Sequence, residues 1–514
     1  MKNIIKTAFA CIATLALASC YSDDSNIGGN YVGEIEISPL EESYTCMAYA
    51  DEHLKINPDI KLGYDESQMK YTWMLLNNRT GSTTENGDTI QPVVIGTEKN
   101  LDYVVATAPG QYQLRFVAEA PNGYYQIVYT KVSVQTAFSE GFYVLKETTD
   151  GNTDLDLLTA KDATISNIYT AVHGAPLKGK PNTLNLIYTS FYINDDSGEM
   201  ESTDALAVTT EEGQLSMNRT SDFATTFDNS NICFDPLDPS EKVYSYIWIP
   251  GLFYHNVLYS SKGARLSDLT SECTGQFGFI EDYAAVPASR WIVCPFDGST
   301  YGSGAFWSEN DKTIYGTDYN VDPVAIDEAS DLAGYSCVGA GACTTGGANV
   351  VFILDENGAG RKAYVLSTSM MGSSFKKSMQ LPEHMAKGKA YTVCGMQATY
   401  IYTVTDNKLW AMNFSADEPN ETQFPLQGIG SDEEINFVTN QYNSNSFDYL
   451  IIGTQKGNNY KLYMYEMNGG VPQGAPVKTI SGEGKVKSVR HLDPTLAGQA
   501  FMLKYGYITL SSWD

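Results

Sequence analysis

A unit of two apolar strands joined by a short polar turn recurs from about residue 140 onward. The turn usually carries Gly, Asn or Asp, and the clearest copies span residues 400–413 (YIYTVTDNKLWAMN) and 449–465 (YLIIGTQKGNNYKLYMY). Few folds accommodate so many similar hairpins in one chain. The seven copies begin at Tyr143, Ala205, Asn256, Ala305, Val350, Tyr400 and Tyr449.

The spacing of these copies indicates the architecture. Successive copies start 62, 51, 49, 45, 50 and 49 residues apart, which is the size of one four-stranded propeller blade. The predicted fold class is therefore all-β, with a seven-bladed β-propeller over residues 138–514. Residues 485–489 and 501–510 are predicted to complete a blade begun near Phe142, because a ring closed by both ends of the chain leaves no free sheet edge.

The first twenty residues, MKNIIKTAFACIATLALASC, predict an exported protein. Lys2 and Lys6 form a short positive region, and the apolar run is too short for a membrane span. Residues 17–20 (LASC) resemble the lipobox of bacterial lipoproteins. The resemblance implies a signal peptide over residues 1–19, cleavage between Ser19 and Cys20, and lipidation of Cys20. Acyl chains such as palmitate on Cys20 would then anchor the protein to a bilayer.

Residues 20–30 are predicted to be the acylated Cys and a flexible acidic tether. The stretch 21–26 (YSDDSN) resembles the signal that directs lipoproteins of the Bacteroidota to the outer face of the outer membrane. That resemblance implies a lipid-anchored protein in the outer membrane that faces the cell exterior. The alternative interpretation is a solvated linker.

Residues 31–137 alternate short strands with turns. Trp73 lies in a predicted strand as a core residue, and Tyr112, Leu114 and Phe116 fall on one face of another strand. A longer final strand is predicted over residues 124–134. The length of about 107 residues and the number of strands predict an immunoglobulin-like β-sandwich.

Two stretches carry a family resemblance. Residues 71–73 (YTW) followed by 109–114 (PGQYQL), and residues 141–146 (GFYVLK) followed by 150–156 (DGNTDLD), resemble the PKD-like family lipoproteins of the Bacteroidota. The resemblance implies a PKD-like sandwich and a place beside a SusC/SusD-type nutrient uptake system. Its partners would be a TonB-dependent channel and a SusD-type lipoprotein, and its ligand a glycan or a peptide.

The charge balance disfavours nucleic acid as a partner. The chain has 33 Lys and Arg against 61 Asp and Glu, a net charge of −28. Such a chain repels a phosphate backbone.

The cysteines do not form an obvious disulfide set. Seven of the nine lie beyond Cys11 and Cys20, they are widely spread, and none makes a CxxC pair. Buried free thiols are predicted, with a bridge between Cys337 and Cys343 as the alternative. No metal site is predicted from these thiols.

No motif for catalysis or for a cofactor is found. The five His residues have no HExxH spacing, and residues 339–347 (GAGACTTGG) lack the spacing of a phosphate loop, so this run is predicted to be a tight loop. Residues 150–156 are predicted to be a hairpin turn, with a calcium loop as the alternative. Asp297 and Glu309 lie near a cluster of aromatic residues, but no catalytic residue is assigned.

The sequence thus favours a non-enzymatic surface lipoprotein that binds a nutrient or assists an importer. A surface propeller glycosidase or polysaccharide lyase is one alternative, and a structural accessory without its own ligand is another. A binder predicts aromatic and amide side chains at the mouth of the propeller channel, whereas an enzyme predicts convergent carboxylates or a His and Tyr pair. A purely structural protein predicts no pocket on that face.

Overall fold

The computed structural model shows an all-β protein, as the sequence predicts. It describes residues 34–49, 52–77, 80–81, 89–194, 198, 200–248, 255–268, 274–281, 284–293, 304–317, 322–369, 372–443 and 447–492. None of the helices in these ranges has the length and apolar character needed to cross a membrane. The described residues divide into two compact units, one made of those that fall within 34–44, 54–103 and 112–132 and one made of those within 45–53, 104–111 and 133–492.

The N-terminal strands form three sheets. A five-stranded sheet has the order β2-β9-β8-β5-β6, and two smaller sheets pair β1 with β4 and β3 with β7. A 3-10 helix, Glu66–Gln68, precedes β5. The strands are β1 (Ile35–Ile37), β2 (Ser43–Met47), β3 (His53–Ile56), β4 (Ile60–Leu62), β5 (Lys70–Leu76), β6 (Val93–Gly96), β7 (Leu101–Val104), β8 (Gly110–Glu119) and β9 (Tyr125–Gln135).

Trp73 is the centre of the core beneath these strands, as predicted. Its side chain is fully buried, and its ring stacks on Phe116 with 4.1 Å between the centroids. The indole N–H donates to the carbonyl of Glu98 at 3.0 Å. The burial of a large aromatic body with a satisfied N–H explains why a Trp suits this position.

Seven further antiparallel sheets follow within the described residues. In the first the strand order is β12-β11-β10-β37, and in the next five the strands follow one another in chain order. In the seventh, β32, β33 and β34 are in chain order, and β34 pairs with both β35 and β36. The strands are β10 (Gly141–Glu147), β11 (Thr153–Thr159), β12 (Thr164–Ile165), β13 (Pro181–Ile193), β14 (Met200–Thr210), β15 (Leu215–Arg219), β16 (Thr225–Asp228), β17 (Val243–Trp248), β18 (His255–Ser260), β19 (Ala264–Asp268), β20 (Ile292–Val293), β21 (Ala305–Ser308), β22 (Thr313–Thr317), β23 (Pro323–Ala325), β24 (Tyr335–Cys343), β25 (Asn349–Glu356), β26 (Arg361–Ser369), β27 (Gly372–Gln380), β28 (Tyr391–Val393), β29 (Tyr400–Thr405), β30 (Lys408–Asn413), β31 (Glu421–Phe424), β32 (Glu434–Asn443), β33 (Phe447–Lys456), β34 (Asn459–Asn468), β35 (Val471–Pro472), β36 (Lys478–Glu483) and β37 (Lys485–Leu492).

Each predicted hairpin is a pair of adjacent strands in one sheet, and in six of the seven sheets it is the central pair among the described strands. The seven pairs are β10 with β11, β14 with β15, β18 with β19, β21 with β22, β25 with β26, β29 with β30, and β33 with β34. Two short helices, α1 (Ile168–His173) and α2 (Glu383–Ala386), and a 3-10 helix, Asp327–Ala329, lie between strands. The repeat is thus confirmed as the structural unit of this region.

Hydrophobic clusters join each sheet to the next and close the series into a ring. Six clusters link the first sheet to the second and so on up to the seventh. A further cluster packs Phe142 and Val144 of the first sheet against Ile451 and Leu462 of the seventh. A ring of face-packed sheets is the propeller arrangement.

The C-terminal strand β37 closes this ring, as predicted for residues 485–489. It pairs with β10 over Gly141–Glu147, with one irregularity between Leu145 and Lys146. β37 also contacts β13 and β32, while β24 contacts β20 and β28. The first strands of the sheets therefore lie side by side around the axis. Residues 501–510, the other predicted part of this blade, lie beyond the described ranges.

The glycine-rich run at residues 339–347 corrects one prediction. Its first half is not a loop but the end of β24, the inner strand of the fifth sheet. A side chain at Gly339 would place its Cβ 2.8 Å from the Cβ of Tyr391, on the inner strand of the next sheet. Gly is present because neighbouring inner strands approach closely, and not because the chain turns there.

We expect Gly339→Ala to reduce the free energy of unfolding by about 1–3 kcal/mol, because the added methyl group must displace the backbone-proximal atoms of Tyr391. Gly278→Ala is the matched control, since its nearest neighbour would be a carbonyl oxygen at 3.6 Å. Urea unfolding of both variants measures the difference. Equal stability of the two would contradict the close approach of the inner strands.

The buried cysteines are free thiols where the structure describes them. Cys46, Cys233, Cys337, Cys343 and Cys394 are all buried and unbridged, which confirms the prediction for these five and excludes the alternative bridge. Burial raises the pKa of the Cys337 thiol well above its usual value. Cys273 and Cys294 fall in ranges that are not described.

Candidate functional site: the mouth of the propeller channel

A cavity of about 300 Å³ opens at one end of the inner strands. Inner strands begin at this end, and the turns between the second and third strands of the second, third and fourth sheets face the same way. We call this cavity the axial mouth. Its lining residues are Asn182, Glu211, Lys242, Tyr244, Ser261, Ala288, Ser289, Arg290, Trp291, Glu309 and Asn310.

The starts of three inner strands supply one wall of the axial mouth. Asn182 is the second residue of β13, Tyr244 is the second residue of β17, and Trp291 directly precedes β20. The carbonyl of Tyr244 accepts a hydrogen bond from the Thr183 hydroxyl at 2.6 Å. This bond ties the second sheet to the third and fixes Tyr244 at the rim.

Aromatic and amide groups are combined in this wall. The guanidinium carbon of Arg290 lies 4.7 Å from the centroid of the Trp291 ring, a distance at which a cation attracts the ring face. The pKa of the Tyr244 hydroxyl is raised by burial and by the nearby charge of Glu309, so this phenol remains a hydrogen-bond donor at neutral pH. Asn182 and Asn310 add amide donors and acceptors.

The two carboxylates of the axial mouth each face a lysine. Glu211 lies 3.4 Å from the Nζ of Lys487, and Glu309 lies 2.8 Å from the Nζ of Lys312. The pKa of Lys487 is lowered, first by burial and then by the charge of Arg290. Lys487 belongs to β37, so the strand that closes the ring also reaches this site. None of the described residues that line the mouth is His.

The sequence-predicted site residues fall in different places. Ser19 and Cys20 precede the first described residue, so the structure does not test the predicted cleavage and lipidation. Asp297 also lies in a range that is not described, while Glu309 does line the axial mouth. Trp307 is fully buried in the core between the fourth and fifth sheets, as expected for a Trp in a blade strand.

Residues 150–152 lie in the hairpin turn between β10 and β11, as predicted, whereas residues 153–156 are already the first part of β11. Gly151 N donates to the carbonyl of Thr148 at 3.0 Å, and Asp154 and Asp156 direct their oxygens to protein groups. Asp154 accepts from the backbone N–H groups of Tyr169 and Thr170 at the start of α1. Its pKa is raised, mainly by burial. Across the described ranges, no group of three or more His, Cys, Asp or Glu side chains is suited to hold a metal ion.

Sequence reasoning did not find the other residues of the axial mouth. One signal was available: a basic residue stands just before an aromatic one where two successive repeats begin, at Lys242 with Tyr244 and at Arg290 with Trp291. The basic residue stands two positions before the aromatic one in the first pair and one position before it in the second, so the signal is not a fixed motif.

Fold and site together define an all-β protein with a ligand-sized cavity at the axis of a propeller. A family model described as the PKD-like family matches residues 20–181. The resemblance predicted from residues 71–73, 109–114 and 141–156 is thus confirmed as a family match over that part of the chain. No curated protein matches the sequence.

Several solved structures resemble the fold at a distance. The Dos1 propeller has 13% identity and a TM-score of 0.35, with 56% of this chain and 75% of that chain covered. An auxiliary nutrient binding protein from Bacteroides thetaiotaomicron has 12% identity and a TM-score of 0.27, with 81% of this chain and 93% of that chain covered. A DUF4784 family protein from Bacteroides caccae has 10% identity and a TM-score of 0.27, with 76% of this chain and 95% of that chain covered. Function must be argued from the site itself.

Proposed function

We propose that this chain is a lipid-anchored protein of the outer cell surface that binds a nutrient, a glycan or a peptide, at the axial mouth without transforming it. In this proposal it assists a SusC/SusD-type importer, with a TonB-dependent channel and a SusD-type lipoprotein as partners. Cys20 is the lipidated residue, and residues 21–30 are the tether.

The composition of the axial mouth carries the binding part of the proposal. Trp291 and Tyr244 supply apolar surface with polar edges, and Asn182 and Asn310 supply directional hydrogen bonds. Such a set orients a ligand. The cellular part is supported by the lipobox and acidic stretch at residues 17–26 and by the PKD-like family match over residues 20–181.

The same cavity bears on the two alternatives. A purely structural accessory predicts no pocket on this face, and a cavity of about 300 Å³ is within the range of small-ligand sites. A glycosidase or lyase would use Glu211 and Glu309 as a catalytic pair or a His with Tyr244. Each of these carboxylates instead faces a lysine, and none of the described lining residues is His. The arrangement therefore favours binding over catalysis.

The proposal is tested by capture of partners and cargo from the native membrane. The full chain is extracted in mild detergent after labelling with an alkyne palmitate, and the co-purified molecules are identified by mass spectrometry. We expect label on the wild type and none on Cys20→Ala, together with recovery of a TonB-dependent channel and a SusD-type lipoprotein. Trp291→Ala should keep these partners and lower cargo affinity roughly 10- to 100-fold, as loss of an aromatic anchor does.

Phe279→Ala is the control for the aromatic substitution, because Phe279 is exposed and lies outside the axial mouth. It should leave cargo affinity unchanged. Recovery of the protein alone would contradict the importer role. Cleavage of purified glycans or peptides by the wild type, lost in Glu211→Gln or Glu309→Gln, would establish the enzymatic alternative instead.

A further inference from the structure

A second and larger cavity lies at the other end of the second sheet. Its volume is about 610 Å³. Tyr192 and Asn194 line it at the end of β13, whereas Asn182 lines the axial mouth at the start of that strand. Twelve residue steps of extended chain span roughly 40 Å, so the two cavities are separate sites. We call the second one the polar pocket; the lining side chains used below are Asn194, Thr225, Thr226, Asn231, Thr274 and Gln276.

The lining of the polar pocket is dominated by uncharged groups that both donate and accept hydrogen bonds. Three of the side chains are amides and three are hydroxyls. They come from β13, from β16, from the segment after β16 and from residues 274–276. Amide and hydroxyl groups from several segments match a ligand that carries many hydroxyl groups. Thr225, Thr226 and Gln276 each donate to a protein oxygen, and each keeps further hydrogen-bonding capacity for a ligand.

The charged groups beside the pocket are paired with one another. Arg219 donates two hydrogen bonds of 2.6 Å to the carboxylate of Asp222 and one of 2.9 Å to the hydroxyl of Tyr192. That hydroxyl donates to Glu201 at 2.6 Å, and the amide of Asn194 also donates to Glu201, at 2.8 Å. These bonds hold the pKa of Glu201 below its usual value.

This network has two consequences for a ligand. The carboxylate of Asp222 neutralises the positive charge of Arg219, so this wall of the pocket does not attract an anion strongly. The network also fixes the side chain of Asn194, which lowers the entropy lost when a ligand binds. One carboxylate, Asp228, also lines the pocket, and it accepts hydrogen bonds from Ser230. A carboxylate that can accept from neighbouring hydroxyls suits a polyol as well.

A small apolar surface completes the pocket. Ile193 is 43% exposed at its edge, and Phe227 is buried beneath it. A ligand with polar edges and apolar C–H faces would contact both kinds of surface. A peptide would instead need deep apolar pockets for its side chains or a free strand edge. At the edge strand β16, the N–H of Asp228 already donates to the side chain of Asn231, at 2.8 Å.

We propose that the polar pocket is a second binding site, separate from the axial mouth, for a short uncharged oligosaccharide. This inference does not depend on the function proposed for the axial mouth. It assigns recognition of the ligand's hydroxyl groups to the side chains of Asn194, Gln276, Thr225 and Thr226.

Isothermal titration calorimetry of the full chain in detergent tests the proposal. The probes are maltohexaose, cellohexaose, xylohexaose and mannohexaose, with trigalacturonate and a tryptic digest of casein for comparison. We expect at least one neutral hexaose to bind and Asn194→Ala/Gln276→Ala to bind it roughly tenfold more weakly or worse, since two hydrogen bonds are lost. Thr225→Tyr, which fills the cavity and keeps both amides, should also abolish binding.

Two controls separate this site from fold and from the axial mouth. Asn420→Ala/Gln423→Ala removes the same residue types from exposed positions of the sixth sheet and should bind as the wild type does. Trp291→Ala should also retain hexaose binding. Failure of every neutral hexaose to bind, binding of the casein peptides or trigalacturonate alone, or hexaose binding unchanged in both pocket variants would each overturn the proposal.

Discussion

Replacing Asp156 with Ala should destabilise the propeller by about 3–5 kcal/mol, because it leaves a buried lysine without its counter-charge. Asp156 and Lys146 are almost completely buried, and the ammonium lies 2.7 Å from the carboxylate. The same carboxylate accepts from the hydroxyl of Tyr460 at 2.6 Å and from the backbone N–H of Asn167 at 2.8 Å. The pKa of Tyr460 is raised mainly by burial and also by the charge of Asp156. The phenol therefore remains a hydrogen-bond donor.

The matched control for this substitution is Asp432→Ala. Asp432 also pairs with a lysine, Lys456, at 2.5 Å, but both side chains are about two-thirds exposed. An exposed pair of this kind contributes roughly 0–1 kcal/mol. Urea unfolding followed by far-UV circular dichroism measures both variants. If Asp156→Ala lowers the free energy of unfolding by no more than Asp432→Ala does, the buried pair does not hold the first and seventh sheets together.

The network around Asp156 also shows why the sequence reveals some features and hides others. Lys146 and Asp156 lie on one predicted hairpin, and their proximity follows from its register. Tyr460 lies 304 residues further along the chain. Its contact with Asp156 exists only because the seventh sheet packs against the first, and no local pattern carries that information.

The hairpins could be predicted because their strands are mostly buried and carry many apolar residues on both sides of a polar turn. The outermost strands could not. Residues 218–240 and 367–389 are rich in polar side chains, yet they contain the strands β16 and β27. β27 alternates half-buried with exposed residues, because only one face of an edge strand meets the protein. Apolar content is therefore a poor signal for the outer strands.

The axial mouth was beyond sequence reasoning for a geometric reason. Its residues come from the second, third and fourth sheets and extend from Asn182 to Asn310. They stand in separate short stretches, at or just before the start of an inner strand or in a turn, so no single contiguous motif contains the site. The sequence predicts which kinds of side chain a binding site at the channel mouth would carry, but only the packing of the sheets brings these residues together.

A chain that ends at residue 484 should fail to form a stable ring, because it lacks β37. That strand pairs with β10 along its length and buries Val489 and Leu492. Without it, β10 keeps a row of unpaired N–H and C=O groups beside exposed apolar surface, which is costly and favours aggregation. We expect loss of the cooperative thermal transition and aggregation in gel filtration.

Two comparisons assign this loss to β37 itself. A chain that ends at residue 492 keeps the strand and should retain the transition. A synthetic peptide of residues 485–492 (KVKSVRHL) should restore a transition to the shorter chain, since the site it enters is a ready-made strand position. The same peptide with Val489→Asp should not restore it, because the substitution would bury an unpaired charge in the cluster formed by the first and seventh sheets. A chain ending at residue 484 that unfolds at the wild-type temperature would show that the seven sheets hold together without closure by β37.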